Sequence, residues 1–270
     1  MSEPDRRRGV PPPARLNRPS AAGFAVLVTL AAFLLVSLAQ VAPSPERLIE
    51  GAPRMVDLVG RMMPPNLEPA FLARVFWRIV ETLQIAFVGT VIGVVISLPI
   101  AWLAARRLSP LGPFNVLARA LIALFRTVPD LVWALLFVAA VGLGAVAGTM
   151  TIIVDTIGFC GRFFAEAMED AEEAPQEALT AIGAGKLAIL VSAVIPDALP
   201  SMINSSLFAL EKAVRSSVVL GLVGAGGIGQ ELKVAFDLFQ YPNASSIMIA
   251  IFAIVLVMEQ LTDRLRERVR

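Results

Sequence analysis

Residues 82–105 read TLQIAFVGTVIGVVISLPIAWLAA and contain no charged side chain. An α-helix needs about 20 apolar residues to cross the hydrocarbon core of a bilayer, so this stretch alone predicts a membrane span. Three further runs of similar length are uncharged and a fourth holds one charge, Asp197; these runs are Ala21–Ala42, Leu131–Val154, Leu238–Met258 and Leu187–Leu210. The pattern indicates a polytopic membrane protein.

The composition agrees with a chain that is largely in contact with lipid. Of the 270 residues, 57% are hydrophobic and 17% are charged, whereas a soluble domain carries about 25% charged residues. The chain has no histidine, which excludes Ser-His-Asp hydrolysis, histidine-based zinc sites and histidine proton relays. Its one cysteine, Cys160, excludes a disulfide within the chain, and the net charge of +1 gives no sign of a nucleic-acid partner. We expect no catalytic residue, no metal site and no cofactor.

Glycines interrupt the apolar run Leu131–Val154. Gly142, Gly144 and Gly148 are predicted to mark a turn, so that Leu121–Gly148 forms one span and Thr149–Ala165 the next. With this division the chain has about six spans. We therefore expect an all-α fold, a single polytopic bundle of about six transmembrane helices.

Charge and proline distribution divide the chain into five parts. They are a disordered cytoplasmic leader (1–20), a first transmembrane helix (21–42), an extracytoplasmic loop (43–78), a transmembrane core (79–262) and a basic cytoplasmic tail (263–270). The loop is predicted to contain an amphipathic helix that begins at Pro53, with Met55, Val56 and Val59 on its apolar face. A simple tether is the alternative for this loop.

Arginines predict the orientation, because short cytoplasmic loops are rich in Lys and Arg. The leader, the loop holding Arg106, Arg107 and Arg119, and the tail all fall on one side if there are six spans. Both termini are then cytoplasmic. The five arginines in residues 43–78 oppose this orientation, because the six-span arrangement places them outside.

The segment 166–190 changes character, since it holds several acidic residues. Pro175 is predicted to open a short helix, with Glu177 in its first turn, where a carboxylate interacts favourably with the helix dipole. Gly183 and Gly185 are predicted to end that helix. A small exposed helix of this kind can dock into a groove of another protein, and a solvated acidic loop is the alternative.

The same segment resembles the EAA motif of ABC importer permeases, which reads Glu-Ala-Ala, three residues, Gly, nine residues, Ile, any residue, Leu-Pro. Glu177, Ala178, Gly183 and Pro196 match its Glu, first Ala, Gly and Pro at the family spacing. Leu179, Ala193 and Ile195 are apolar replacements. The resemblance implies the type I ABC importer permease (MetI-like) fold, and it implies that this segment couples the permease to a nucleotide-binding subunit.

Four further stretches resemble the phosphonate importer permeases. They are ETLQIA (81–86), RTVPDLVW (126–133), GRFFAEA (161–167) and VRSSVVLGLVGAGGIG (214–229). The resemblance covers residues 70 to 265 and implies an inner-membrane protein that imports alkylphosphonates, with phosphite or hypophosphite in close relatives. The implied partners are a second permease copy as a homodimer, two copies of the ATP-binding subunit, an extracytoplasmic phosphonate-binding protein and membrane lipid.

Two glycine patterns are not nucleotide sites. The first satisfies G-x-G-x-x-G through Gly224, Gly226 and Gly229, but it lies in an apolar stretch between spans without the βαβ unit of a dinucleotide fold. Backbone flexibility or close helix approach is the interpretation for Gly224, Gly226, Gly227 and Gly229, which are also candidates for lining the pathway or its gate. The second, Gly183 to Lys186, lacks the first glycine and the Ser or Thr of a phosphate loop. ATP is therefore expected to be hydrolysed by another chain.

Charges within the spans are the candidates for an anion pathway. Lys212 and Arg215 precede the glycine-rich stretch, and Arg126 opens the RTVPDLVW stretch. Passage of an anion needs positive potential together with weak binding, and these side chains are the candidates to provide that potential. Structural pairing, for example with Glu211, is the alternative.

Three alternatives remain for the function. An importer permease for methionine, a quaternary amine or an organosulfonate would use the same coupling segment. An ion-driven secondary transporter predicts inverted repeats and no docking helix, and the acidic helix argues against it. A membrane anchor without transport activity is disfavoured by the glycine-rich spans that carry charge.

Overall fold

The computed structural model describes residues 21–42, 44–106, 108–109, 112 and 114–268, and α-helices joined by turns dominate them. The described residues divide into two compact units, with the boundary between Asp57 and Leu58. The predicted disordered leader, Arg107 and the last two residues of the basic tail lie outside the described residues.

The first helix, α1 (Ala21–Val41), contains 21 uncharged residues and agrees with the predicted first span to within one residue. The second helix, α2 (Pro45–Met62), crosses the boundary between the units and holds Pro53 in its interior, so it begins eight residues before the predicted start. Met55, Val56 and Val59 are exposed. A membrane-surface location for this apolar face stays a prediction.

The second unit opens with α3 (Pro69–Ala104), a helix of 36 residues that begins well before residue 79. Pro69 suits a first helical turn, where the missing N–H has no partner in any case. The arginines of this part are accommodated within the helix: the Arg74 guanidinium carbon lies 6.0 Å from the centre of the Phe71 ring, and Arg78 forms ion pairs. The long loop expected over 43–78 is thus mostly helical.

The apolar run Leu131–Val154 covers most of one short helix and the start of a longer one, and a further short helix precedes it. Helices α4 (Phe114–Thr127) and α5 (Asp130–Val141) are bent by 91° at Pro129, because proline lacks an N–H and disfavours helical backbone in the residue before it. Gly142 and Gly144 have φ angles of +92° and +130° and form the predicted turn. Gly148 does not, because it lies inside α6 (Ala145–Glu169).

The segment 166–190, called the coupling segment for its predicted role, leads into another helix of 36 residues. Helices α7 (Glu173–Ala181) and α8 (Lys186–Ile189) are followed by a π-helical stretch, Leu190–Val194, and by α9 (Ile195–Gly221). The π-helical stretch precedes Pro196, which cannot donate to the carbonyl four residues earlier. The Ile195 N–H donates to the carbonyl of Leu190, five residues earlier.

Two helices complete the chain: α10 (Ile228–Asp237) and α11 (Tyr241–Glu267). Among the described residues, five helices are long and apolar enough to span a membrane, and the count is six if the bent pair α4–α5 is one span. The expectation of an all-α bundle with about six spans is confirmed.

Helices α3 and α6 form the centre of the second unit. A Cβ at Gly89 would lie 2.7 Å from the Ile152 Cβ, and one at Gly93 would lie 2.5 Å from the Thr156 Cβ. Larger residues at these two positions would therefore separate the helices, as expected where small residues let membrane helices approach closely. Helix α6 also packs against α4, α5 and α9, so it connects the elements that carry the candidate sites.

Candidate functional site

The coupling segment ends in a tight glycine turn. The Gly183 N–H donates to the Thr180 carbonyl and the Ala184 N–H to the Leu179 carbonyl, both at 3.0 Å, which is the Schellman pattern. Gly183 has a φ of +83°, a conformation that glycine adopts without steric penalty. Leu179 and Ala184 pack against the hydrophobic core, so the turn orients α7 against the bundle.

Polar contacts fix both ends of this segment. The Asp197 carboxylate accepts a 2.8 Å hydrogen bond from the Glu172 N–H at the start of α7, and the Gln176 amide donates to the carbonyl of Glu172 at 2.9 Å. At the other end, the Lys186 ammonium donates to the Ser109 carbonyl at 2.8 Å. The segment is therefore tied to α9 and to the connection that precedes α4.

Three of the four predicted coupling residues lie together on an exposed surface. Glu177, Ala178 and Gly183 are exposed, and Glu177 lies in the second turn of α7 rather than the first, because the helix begins at Glu173. An open cleft of about 530 Å³ is lined by Glu173, Gln176, Glu177, Thr180 and Ala181. Pro196 lies apart at the start of α9, next to the π-helical stretch.

The glycine-rich stretch is a buried loop between α9 and α10. Gly224, Gly226 and Gly227 have φ angles of +93°, +85° and +75°, and all residues from Gly224 to Gly229 are buried. The Gly144 N–H donates to the Gly224 carbonyl at 2.9 Å. These contacts join the loop to the start of α6.

Helix α3 holds the other side of this loop. The Thr82 hydroxyl accepts a 2.8 Å hydrogen bond from the Ile228 N–H, and Arg78 bridges Glu81, at 2.7 Å, and Glu231 of α10, at 3.1 Å. A Cβ on Gly226 would lie 3.0 Å from a Glu81 oxygen. The glycines therefore allow a close approach of backbone to neighbouring helices, as their pattern predicts.

Lys212 and Arg215 form ion pairs in this conformation. The Lys212 ammonium lies 2.7 Å from the Asp155 carboxylate of α6 and 5.6 Å from the centre of the Phe159 ring. Arg215 lies 2.8 Å from Glu211. Structural pairing, which the sequence left open, is present for both cations.

Glu211 also forms an ion pair with a second arginine. The Arg266 guanidinium of α11 lies 2.8 Å from the other Glu211 oxygen and 5.5 Å from the centre of the Phe208 ring. The Glu211 side chain is only 10% exposed. Asp155 and Arg266 were not predicted as partners, because they lie 57 and 55 residues from the positions they contact.

Arg126 differs from the other candidate cations. It lies in the last turn of α4 and is exposed, and no ion pair or hydrogen bond involves it among the described residues. The structure therefore separates Arg126 from Lys212 and Arg215, which have carboxylate partners. No group of three potential metal ligands occurs in the part of the chain that the structure describes.

Comparison with known proteins places the chain among transport proteins. Residues 97–270 match the model of a family described as the binding-protein-dependent transport system inner membrane component.

Curated relatives with similar sequences include two permeases. The phosphate-import permease protein PhnE of Mycolicibacterium smegmatis is 40% identical over 222 residues, which is 82% of this chain and 41% of that protein. The phosphite transport system permease protein PtxC of Stutzerimonas stutzeri is 37% identical over 222 residues, or 82% of this chain and 79% of that protein. The chain thus spans less than half the length of the mycobacterial relative.

Solved structures share the fold. A chain from the inward-facing MetNI methionine ABC transporter is 26% identical, with a TM-score of 0.63, and the match covers 76% of this chain and 100% of that chain. An amino acid ABC transporter solved with histidines gives a TM-score of 0.59 at 17% identity, over 75% of this chain and 99% of that one. The expected type I importer permease architecture is confirmed.

Proposed function

Because the chain belongs to the family of binding-protein-dependent transport system inner membrane components, we propose that it is the permease subunit of an ABC importer that carries phosphonate or a phosphite-like anion across the bacterial inner membrane. The similarity to relatives named as phosphate-import and phosphite transport permeases, over 82% of the chain, carries this proposal. Methionine permeases are the second candidate class, since a D-methionine permease of Pasteurella multocida is 28% identical over 204 residues.

A homodimer supplies the pathway in this proposal. Closed two-fold symmetry is the commonest arrangement of identical subunits, and one copy would contribute half of the path. An extracytoplasmic binding protein delivers the anion, and both termini face the cytoplasm.

The coupling segment receives the ATP-binding subunit, one copy for each permease. The exposed surface of Glu177, Ala178 and Gly183 is the proposed contact, and ATP hydrolysis takes place in that separate subunit. The hydrogen bond between Asp197 and the start of α7 supports this role, because it ties the docking helix to α9.

Lys212, Arg215 and the glycine-rich loop are proposed to shape the pathway or its gate. The Lys212–Asp155 and Arg215–Glu211 pairs hold cations that remain partly exposed, at 36% and 49% of their side-chain surface. Glu211 is shared by Arg215 and Arg266, so these three side chains together carry one net positive charge. Such a charge attracts an anion without retaining it strongly, which conduction requires. Pairing and a pathway role are thus compatible for these residues.

Uptake in cells that lack the gene, with and without the gene restored, tests the proposal. The panel is 2-aminoethylphosphonate, methylphosphonate, phosphite, phosphate, methionine and a quaternary amine, each at limiting concentration. We expect gene-dependent uptake of a phosphonate or phosphite, abolished by an inactive ATP-binding partner.

Other outcomes of the uptake experiment decide against parts of the proposal. Uptake of methionine or the amine alone would retain an importer and reject the phosphorus substrate. Gene-dependent uptake that persists with the inactive ATP-binding partner would instead indicate a secondary transporter driven by ions.

A further inference from the structure

A cavity of about 590 Å³ opens between α4 and α6. It lies away from the Lys212 and Arg215 pairs, since none of those four side chains lines it. Its lining combines arginines, glutamates, a threonine and small apolar residues, namely Ala104, Arg119, Ile122, Ala123, Arg126, Thr127, Arg162, Ala165, Glu166 and Glu169. We call this cavity the α4–α6 groove.

Both glutamates of the groove are already engaged. Glu169 forms an ion pair with Arg119 and accepts a hydrogen bond from the Arg106 N–H, and Glu166 lies 2.7 Å from Arg162. Three guanidinium groups against two carboxylates leave one positive charge. That excess resides on Arg126, which no carboxylate among the described residues contacts.

The position of Arg126 depends on Gly158. A Cβ on Gly158 would lie 3.2 Å from the Arg126 Cγ and 3.0 Å from the Phe125 Cβ, so the missing side chain on α6 lets the arginine stem lie against that helix. Such a stem buries its methylene groups and leaves the charged end free. The geometry thus offers an unpaired guanidinium at the edge of a cavity with a net positive charge.

We propose that the α4–α6 groove binds a small phosphorus oxyanion in transit through Arg126, the cation of the groove that has no carboxylate partner among the described residues. This inference rests on the proposed function and names the binding site. A planar guanidinium donates two parallel hydrogen bonds to a phosphorus oxyanion. Because Arg119 and Arg162 are paired with glutamates, the groove carries only one net positive charge. It therefore attracts the anion without holding it strongly, so that the anion can leave.

Direct binding tests the groove separately from transport. The permease complex with its ATP-binding subunit, in nanodiscs of zwitterionic lipid and without the binding protein, is titrated with phosphite by calorimetry. Removal of a charge-assisted donor is expected to weaken binding by about tenfold or more in Arg126→Met, which keeps the apolar stem. Arg126→Lys keeps the charge and is expected to bind more tightly than Arg126→Met. The control Arg264→Gln removes an exposed arginine outside the groove and should bind as the wild type does.

The outcomes separate this proposal from the proposed function. Equal phosphite affinity in wild type and Arg126→Met, at equal amounts of folded complex, would overturn the proposal that the groove binds the anion, even if cells import phosphite. Loss of binding in Arg126→Met supports the groove, whatever the uptake panel shows.

A second arm distinguishes a solute from a lipid headgroup, which carries the same phosphorus oxyanion chemistry. The titration is repeated in nanodiscs that contain phosphatidylglycerol. Phosphite binding that persists there supports a solute in transit. If the anionic lipid removes phosphite binding in wild type, and Arg126→Met loses its preference for that lipid, the occupant is a headgroup and the transit role is overturned.

Discussion

Two turns of this molecule use glycine at positive φ for different reasons. In the coupling segment, Gly183 has a φ of +83° and a Cβ there would meet nothing within 4 Å. In the glycine-rich loop, Gly227 has a similar φ of +75°, but a Cβ there would lie 2.6 Å from the Thr82 hydroxyl oxygen. Backbone conformation alone requires the first glycine, whereas conformation and packing together require the second.

The space around these two glycines differs, and only the turn at Gly183 has open space beside it for a partner protein. The open space around Gly183 leaves α7 free for docking, while the space around the glycine-rich loop is filled by α3 and α6. A substitution in the loop should therefore act on folding. A substitution in the coupling segment should act on assembly with other subunits and leave the fold nearly unchanged.

The largest effect is expected for Gly229→Ala. A Cβ at this position would overlap the Val218 carbonyl oxygen and lie 3.0 Å from the Gly221 Cα, and backbone atoms cannot move aside as a flexible side chain can. Overpacking of this kind should lower the free energy of unfolding by about 3 kcal/mol, measured as thermal stability in detergent. Gly185→Ala, in open space with a φ of −73°, is the control. Equal stability of both variants would show that packing does not constrain the glycine-rich loop more than the coupling segment.

The next effect concerns the hydroxyl of Thr82. Thr82→Val leaves the buried Ile228 N–H without its acceptor, at a cost of about 1–3 kcal/mol in the free energy of unfolding. Thr82→Ser keeps the hydroxyl and should lose less, despite the missing methyl group. Chemical denaturation of the purified complex compares the two variants. A valine variant as stable as the serine variant would show that this hydrogen bond does not hold the loop.

Gly183→Ala is expected to have a smaller effect on folding, because only the backbone conformation is disturbed. A left-handed conformation costs a residue with a side chain about 1 kcal/mol. Gly183→Phe adds bulk on the exposed surface, and it should reach the membrane in normal amounts yet uncouple ATP hydrolysis from uptake. The ratio of ATP hydrolysed to anion imported measures this. Full transport by Gly183→Phe would show that this turn does not couple ATP hydrolysis to uptake.

The smallest effect is expected for Asp197→Ala. This change removes the acceptor of the Glu172 N–H, a loss of about 1 kcal/mol at an exposed position. Hydrogen exchange should increase in α7 and stay unchanged in α10. Asp237→Ala is the matched control, because it breaks an exposed ion pair with Lys233 away from the coupling segment. Equal exchange in α7 for both variants would show that Asp197 does not anchor the helix.

The local pattern of uncharged residues predicted the membrane spans. The start of α3 was not predicted, because it depends on contacts between residues far apart in the sequence. Uncharged runs such as Ala21–Ala42 suffice to indicate a helix in lipid. The early start of α3 was missed because Arg78 looked like a loop residue, and its partner Glu231 lies 153 residues away. Sequence spacing contains no information about such a pair.

Some features of the candidate site follow from the local sequence, and others depend on how the helices pack. The exposed turn at Gly183 follows from a glycine after a short helix. The pairing of Glu211 with Arg266 could not be predicted, because it depends on how α9 and α11 pack. The sequence likewise could not show that Arg126 lacks a carboxylate partner among the described residues, because this depends on the positions of all nearby carboxylates.

One extra residue in the π-helical stretch Leu190–Val194 sets the phase between the two ends of the helix Lys186–Gly221. An α-helix turns about 100° per residue, so that residue rotates Lys186, and the coupling segment before it, by about 100° around the axis relative to Lys212. Pro196 maintains the extra residue, since a regular register would place its ring against the carbonyl four residues earlier. The direction around the helix axis from which α7 meets the bundle is thus set by a single position. Deletion of one residue there would turn α7 toward another face of the bundle while leaving the helix almost as long.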